Sequence, residues 1–384
     1  MVTATAIGGP NVPQTEANPP GGMVPFRRAT TFRTSMLPAT GPVIQTAAQQ
    51  QVQVVLDGSG YIYEVDLWIT AVQVGVNAAA VAYLEDAPYS VLANVVLGDV
   101  NGDLVNLGGF NLYLINLYCG YTNNLQNLSL DPLIWNIVAG AVALGGNYAF
   151  HIKVPVGLNR RSLLGIVANQ DRAQKYSLRS DLAAGAAVYG VPPTQLPFIT
   201  INRTYENYAV PAGQNAAGAS QQQQPNKLGV LHFLTQSVNP TVPAPGQVNH
   251  YLPRLGNTIR TIILVLRSNG TRAAAEVAAA LPTQISFLLG DTPIFTETPA
   301  FRRALMWDRY GFDAPAGVYV YDWITDVVKV AGDEMGDDYA FTNGLVNAQF
   351  AITYPAAFGV VANTLTVITD DLQIPGNVDI YAAD

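Results

Sequence analysis

Strict alternation of apolar and polar residues runs through most of this chain. In 61–69, Tyr61, Tyr63, Val65, Leu67 and Ile69 face one way, while Glu64, Asp66 and Trp68 face the other. In 148–154, Tyr148, Phe150, Ile152 and Val154 oppose Ala149, His151 and Lys153. In 346–353, Val346, Ala348, Phe350 and Ile352 oppose Asn347, Gln349, Ala351 and Thr353. Period two is the pattern of a pleated strand with one face buried. Residues 259–266, IRTIILVL, are apolar on both faces and predict a central strand covered on both sides. Asp57-Gly58-Ser59-Gly60 and Asn101-Gly102-Asp103 are expected hairpin turns. The fold class is all-β.

Two short helices are expected within this pattern. Residues 147–169, NYAFHIKVPVGLNRRSLLGIVAN, read as a strand followed by a helix that carries Arg160 and Arg161. Residues 284–311, QISFLLGDTPIFTETPAFRRALMWDRYG, read as strand, turn and a helix with Arg302 and Arg303. Thr298 is placed to cap that helix, Pro299 suits its first position and Gly311 closes it. Phe301 and Leu305, four apart, are expected to pack it onto its sheet. A unit that occurs twice implies two similar β-sandwich domains in tandem. The expected division is an N-terminal arm over 1–45, a first domain over 46–192 and a second over 193–384. The segment VPPTQLPF (191–198) marks the junction, and 211–227, PAGQNAAGASQQQQPNK, is a long surface loop.

Composition changes the picture in three ways. Charged residues are only 12% of the chain, about half the usual share, which suggests a surface largely covered in an assembly. The net charge of −8 is concentrated in residues 291–384, which hold 14 acidic and 4 basic residues. No basic stripe with interleaved aromatics exists, so sequence-specific nucleic-acid binding is not expected. The single cysteine, Cys119, reads as a small buried hydrophobe. No export signal and no apolar run of about 18 residues is visible, so folding in the cytosol is expected.

Candidate chemistry is sparse. His151, His232 and His250 lack the companions of a catalytic triad or a zinc site. Asp99, Asn101 and Asp103 mimic the start of a calcium loop, but Phe110 stands where a bidentate Glu belongs, and a hairpin turn explains them better. Asp333, Glu334, Asp337 and Asp338 crowd four carboxylates into six residues, which must be solvated, paired with arginine or bridged by a cation. No cofactor is expected. Arg160, Arg161, Arg302 and Arg303 are candidates for pairing with acidic loops at subunit boundaries, or are exposed helix residues. The arm carries Arg27, Arg28 and Arg33 against Glu16, suited to anionic lipid headgroups or to a solvated tail.

The order of these segments resembles the double jelly-roll major capsid proteins of tailless, membrane-containing icosahedral bacteriophages, the tectivirus-like lineage. The resemblance covers roughly 50–384. LEDAPYSVLANVVLGDVNGDLVNLGGFNLYLINLYCGY (84–121) is similar to that family's acidic turn, strand, hairpin and aromatic strand. AGAVALGGNYAFHIKVPVGLNRRSLLGIVAN (139–169) is similar to its Gly/Ala turn, strand, "VPL"-like turn and short helix. PAFRRALMWDRYGFDAPAGVYVYDW (299–323) is similar to its arginine-containing helix and following segment. The Pro/Gly-rich arm departs from the Gln-rich helix of the family pattern.

The resemblance implies two tandem eight-stranded jelly rolls, each with a short helix in a late inter-strand loop. It also implies a homotrimer of pseudo-sixfold outline that tiles a virion shell after synthesis in the host cytoplasm. The implied partners are the chain itself, penton and minor capsid proteins, and the lipids of an inner viral membrane. The competing classes are a carbohydrate-binding β-sandwich of receptor-binding or spike type and a cupin-type enzyme. For the first, 19 Tyr and 4 Trp could supply stacking platforms. The second fails on histidine count and spacing.

Overall fold

In the computed structural model the described residues are 23–384, less 122–134, 138–144, 161, 172–174, 217, 242–244, 253, 273–281, 324–338, 356–362, 377 and 379–384. Among them, sixteen longer strands form two units of the same order. The first unit has β1 (Phe32–Ile44), β2 (Gln50–Val55), β3 (Tyr61–Val72), β4 (Leu92–Asp99) and β5 (Gly102–Leu107). Helix α1 (Gly109–Tyr118) follows, then β6 (Tyr148–Pro155), β7 (Ser177–Leu182) and β8 (Phe198–Tyr208). The second unit has β9 (Leu231–Thr241), β10 (Gly246–Tyr251), β11 (Thr258–Ser268), β12 (Gln284–Leu289) and β13 (Thr292–Glu297). Helix α2 (Pro299–Tyr310), β14 (Val318–Asp322), β15 (Ala348–Tyr354) and β16 (Asn363–Gln373) complete it.

Hydrogen bonding repeats as well. The first unit's sheets run β1-β8-β3-β6 and β2-β7-β4-β5; the second's run β9-β16-β11-β14 and β10-β15-β12-β13. Apart from the β4–β5 and β12–β13 hairpins, consecutive strands alternate between two sheets, which is jelly-roll connectivity. The slips in register recur too. The β4–β5 hairpin slips between Leu97 and Gly98, and the β12–β13 hairpin between Phe287 and Leu288. The β3–β8 ladder skips Tyr63, and the β11–β16 ladder skips Arg260. Val105 therefore matches Phe295, Tyr63 matches Arg260, and Glu206 matches Asp370.

The helices hold equivalent places, each directly after the hairpin. Asn116 Oδ1 on α1 accepts from Lys153 N on β6 at 2.9 Å. Met306 Sδ on α2 accepts from Val320 N, at the matching position of β14, at 3.4 Å. The expected helix over 157–168 does not form: Asn159 Oδ1 accepts from Ser162 N at 2.8 Å, and Leu163 and Gly165 take positive φ. The first unit's helix is instead α1, in a stretch with no charge and no capping side chain.

The apolar alternation holds where it was expected. Val65, Leu67, Ile69, Phe150 and Val154 are fully buried between the first unit's sheets. Phe287, Phe350 and Ile262 fill the second core. Each such side chain contributes about 1.5–3 kcal/mol by leaving water. Strand β11 is buried on both faces through Leu266, as IRTIILVL implied.

Three boundaries differ from expectation. Asp57–Gly60 joins strands of different sheets, β2 pairing β7 while β3 pairs β8, so it is not a hairpin turn. Much of the expected arm is packed, for β1 is hydrogen-bonded along β8 and Phe26 is fully buried. Strand β8 lies beyond residue 193 yet completes the first unit's sheet. We therefore draw the units as 32–208 and 231–373. They join through β5 and β9, which pair in parallel at Val105–Leu234 and Asn106–Thr235. That pairing fuses one sheet of each unit into a single ten-stranded sheet.

Candidate functional site

A surface formed by strands offers chemistry only where side chains converge. On the outward face of β3, β6 and β8, alternate positions place Glu64, Asp66, Trp68, His151, Lys153 and Glu206 around a cavity of about 350 Å³. The carboxylates of Glu64, Asp66 and Glu206 lie within 4.8 Å of one another. Their charge is already answered inside the chain. Lys153 Nζ is 2.9 Å from Glu64, His151 Nε2 is 2.8 Å from Asp66, and Arg160 Nη2 reaches both oxygens of Glu206 at 2.9 and 2.8 Å. Burial pushes the Glu64 carboxyl up to about 7, against the pull of Lys153. A divalent cation there would have to displace those partners, so the groove is a self-compensated polar surface.

The second convergence lies under the junction. Arg260 on β11, Asp370 on β16 and His232 on β9 come from the second unit, and Tyr121 follows α1 in the first. Arg260 Nη1 donates to Asp370 Oδ2 at 2.5 Å and to the Tyr121 hydroxyl at 2.9 Å. His232 Nε2 is 3.0 Å from Asp370 Oδ1, and its Nδ1 is 2.9 Å from the Val156 carbonyl oxygen. Burial would raise the Asp370 carboxyl, but Arg260 and His232 outweigh it and hold it at about 2. Cys119 is also fully buried, and burial pushes its thiol up, away from the reactive thiolate.

The histidines thus have structural partners: Asp66, Asp370 with Val156, and for His250 the Tyr354 hydroxyl at 3.1 Å. Burial lowers His250 to about 4, which keeps it neutral. Asp99, Asn101 and Asp103 form the expected hairpin, with Asp99 Oδ1 accepting from the Asn101 and Gly102 amides.

The arginines singled out in the sequence do not come together. Arg160 pairs with Glu206 and stacks 4.2 Å over Phe32. Arg302 Nε is 2.6 Å from Glu297, with its guanidinium 4.2 Å over Tyr321. Arg303 is 2.6 Å from Asp313. Arg161 and the acidic cluster Asp333, Glu334, Asp337 and Asp338 lie outside the described residues. Arg27 and Arg28 are exposed on a helical turn, Phe26–Ala29, and Arg33 is exposed on β1. Phe26, beside those arginines, is fully buried and packs edge-on against Tyr61 at 5.2 Å.

Sequence reasoning missed two features of the surface. Helix α2 seats on its unit through Met306, while Phe301, Leu305 and Trp307 are 57%, 38% and 58% exposed. Strands β1 and β13 lie at sheet edges, with mostly exposed side chains. The six exposed residues flanking Leu37 on β1, four before it and two after, carry no period-two signal to betray a strand.

No protein-family model and no curated protein sequence matches the chain. Solved structures do. The STIV MCP aligns over 90% of this chain and 97% of its own, with a TM-score of 0.62 at 13% identity. The quasi-atomic model of the PBCV-1 virus capsid aligns over 89% and 93%, with a TM-score of 0.57 at 14% identity. The major capsid protein P2 from Bacteriophage PM2 aligns over 91% and 100%, with a TM-score of 0.51 at 12% identity. At such identities the likeness is one of fold: two jelly rolls in one chain.

Proposed function

We propose that this chain is a viral major capsid protein, a structural subunit of a virion shell and not an enzyme. The observation that carries the reading is the pair of matching jelly rolls, aligned nearly end to end with the capsid proteins of STIV and Bacteriophage PM2. Two near-equivalent units per chain allow three chains to make a ring of six, which is the economy of a pseudo-hexameric trimer. The sparse charge fits a surface hidden by neighbours, and the convergent polar sites are internally paired.

In this reading the trimers tile an icosahedral lattice, penton and minor capsid proteins close its vertices and gaps, and an internal membrane lies beneath. Arg27, Arg28 and Arg33 would meet its anionic headgroups. Among the described residues, no helix is long and apolar enough to cross a membrane. Light scattering and electron microscopy of the purified protein test the proposal. Trimers or shells are expected; a protein that stays monomeric at micromolar concentration rejects it.

A further inference from the structure

The junction between the two units uses surfaces whose counterparts are uncovered. Strand β5 pairs in parallel with β9, Val105 opposite Leu234 and Asn106 opposite Thr235. The counterpart of β5 is β13, where the shared hairpin slip sets Phe295 and Thr296 at the places of Val105 and Asn106. The counterpart of β9 is β1. Leu234 faces Asp370 as Thr34 faces Glu206, so Thr34 and Ser35 hold the places of Leu234 and Thr235. Both β13 and β1 are edges among the described residues. An edge strand presents unpaired N–H and C=O groups to any strand of matching geometry.

The side chains beside these strands repeat the relationship with inverted polarity. In the junction Gln236 Oε1 accepts from Asn111 Nδ2 at 2.5 Å and from Gly108 N at 2.9 Å. The counterpart of Gln236 is Met36, 80% exposed, and that of Asn111 is Phe301, 57% exposed. A half-buried polar pair within the chain thus corresponds to an apolar pair left in water. The helices agree. The second unit covers α1, with Tyr118 stacked on Phe312 at 5.6 Å and Arg272 lying 5.1 Å over Phe110. The outward face of α2 is bare.

We propose that β13 of one copy pairs in parallel with β1 of a second copy, Phe295 opposite Thr34 and Thr296 opposite Ser35, with Phe301 seated on Met36. The occupant is this chain itself, because it carries both halves of the contact and already joins their counterparts internally. The contact is heterologous, so it passes from copy to copy, making a ring where the rotation closes, and does not form an isologous pair. This rests on the shell-subunit reading and gives that reading its interface.

Paired cysteines test the register. Ser35 and Thr296 are both exposed, and native Cys119 is fully buried. Neighbouring strands lie about 4.8 Å apart, within disulfide reach. Oxidising the assembled Ser35→Cys, Thr296→Cys protein should link chains into dimers and trimers on a non-reducing gel. Ser35→Cys with Thr292→Cys, displaced along β13, should link about tenfold less. Absence of the first link, or equal linking by the displaced pair, overturns the contact. Met36→Asp with Phe301→Asp should abolish association while far-ultraviolet circular dichroism is kept; unchanged association also overturns it. Light scattering on the wild type separates the two readings. An oligomer without the link removes only this interface, whereas a monomer removes the shell reading as well.

Discussion

Arg260 and Asp370 form an ion pair of 2.5 Å with both side chains fully buried, beneath the junction of the two jelly rolls. The pair sits where the register slip of β11 turns residue 260 out of the ladder. Tyr121 from the first unit completes its hydrogen bonds. A buried charge survives only when so enclosed, and removing one partner leaves the other stranded.

Arg260→Met should therefore destabilise the chain by about 3–5 kcal/mol. Arg260→Met combined with Asp370→Leu should recover part of that loss, because neither partner of the ion pair is left stranded. The pH dependence has a definite sign. The folded carboxyl, at about 2, lies below its ordinary 3.8, so its stabilisation is present above pH 3.8 and disappears as pH falls through 2. The loss amounts to about 2 kcal/mol. Denaturant unfolding at a series of acid pH values checks both statements; a single substitution without effect would contradict the first.

Glu64 has the opposite sign. Its folded carboxyl titrates near 7, above the ordinary 4.5, because burial outweighs the attraction of Lys153. The folded state thus carries a penalty that is absent below pH 4.5, grows above it and is complete beyond pH 7. Glu64→Gln keeps an acceptor for Lys153 and removes the titration. Its melting temperature should match wild type at pH 4.5 and exceed it at pH 8. A variant less stable than wild type at pH 8 would show that the ion pair dominates.

The strand pattern was legible because one-sided burial writes itself as period two: β3, β6 and β15 were readable from their alternation, and β11 from its unbroken apolar run. Helix α1 was not. It is buried on nearly every side, so GFNLYLINLY carries no polar face from which a period of 3.6 could be read. That hides the true partner of 284–310, and the arginine pair at 160–161 reads as the repeat in its place. The internal duplication is present, but its equivalence lies in hydrogen-bond register and not in the strand–helix unit of 147–169. The polar convergences at Arg260–Asp370 and Glu64–Glu206 join residues more than a hundred positions apart, and no local motif announces them.

Thr298 offers a clean test of local design in α2. Its side chain accepts from Phe301 N, Pro299 occupies the first turn, and Gly311 ends the helix at φ 74°. Thr298→Ala should cost about 1 kcal/mol, seen as a lower melting temperature. Gly311→Ala should also destabilise, since a Cβ resists the left-handed conformation. Neither change should alter Phe301 or Trp307 on the outward face, so the two variants separate helix stability from association.

The last prediction concerns Arg27 and Arg28. They project from a helical turn whose Phe26 is locked between Tyr61 and Tyr208, so the basic pair is fixed to the jelly roll and is not part of a free tail. With Phe26 buried, no large apolar side chain of that turn is available to enter a bilayer. Lipid contact by that turn must then be coulombic, worth about 1 kcal/mol per arginine near an anionic surface. Arg27→Gln with Arg28→Gln should weaken binding to phosphatidylserine vesicles by about thirtyfold at low salt. Binding by the wild type should fade as salt shortens the screening length from about 10 Å at 0.1 M to about 3 Å at 1 M. Neutral vesicles should bind neither protein. Equal binding by wild type and double variant, or binding that survives 1 M salt, would place the lipid contact elsewhere on the subunit.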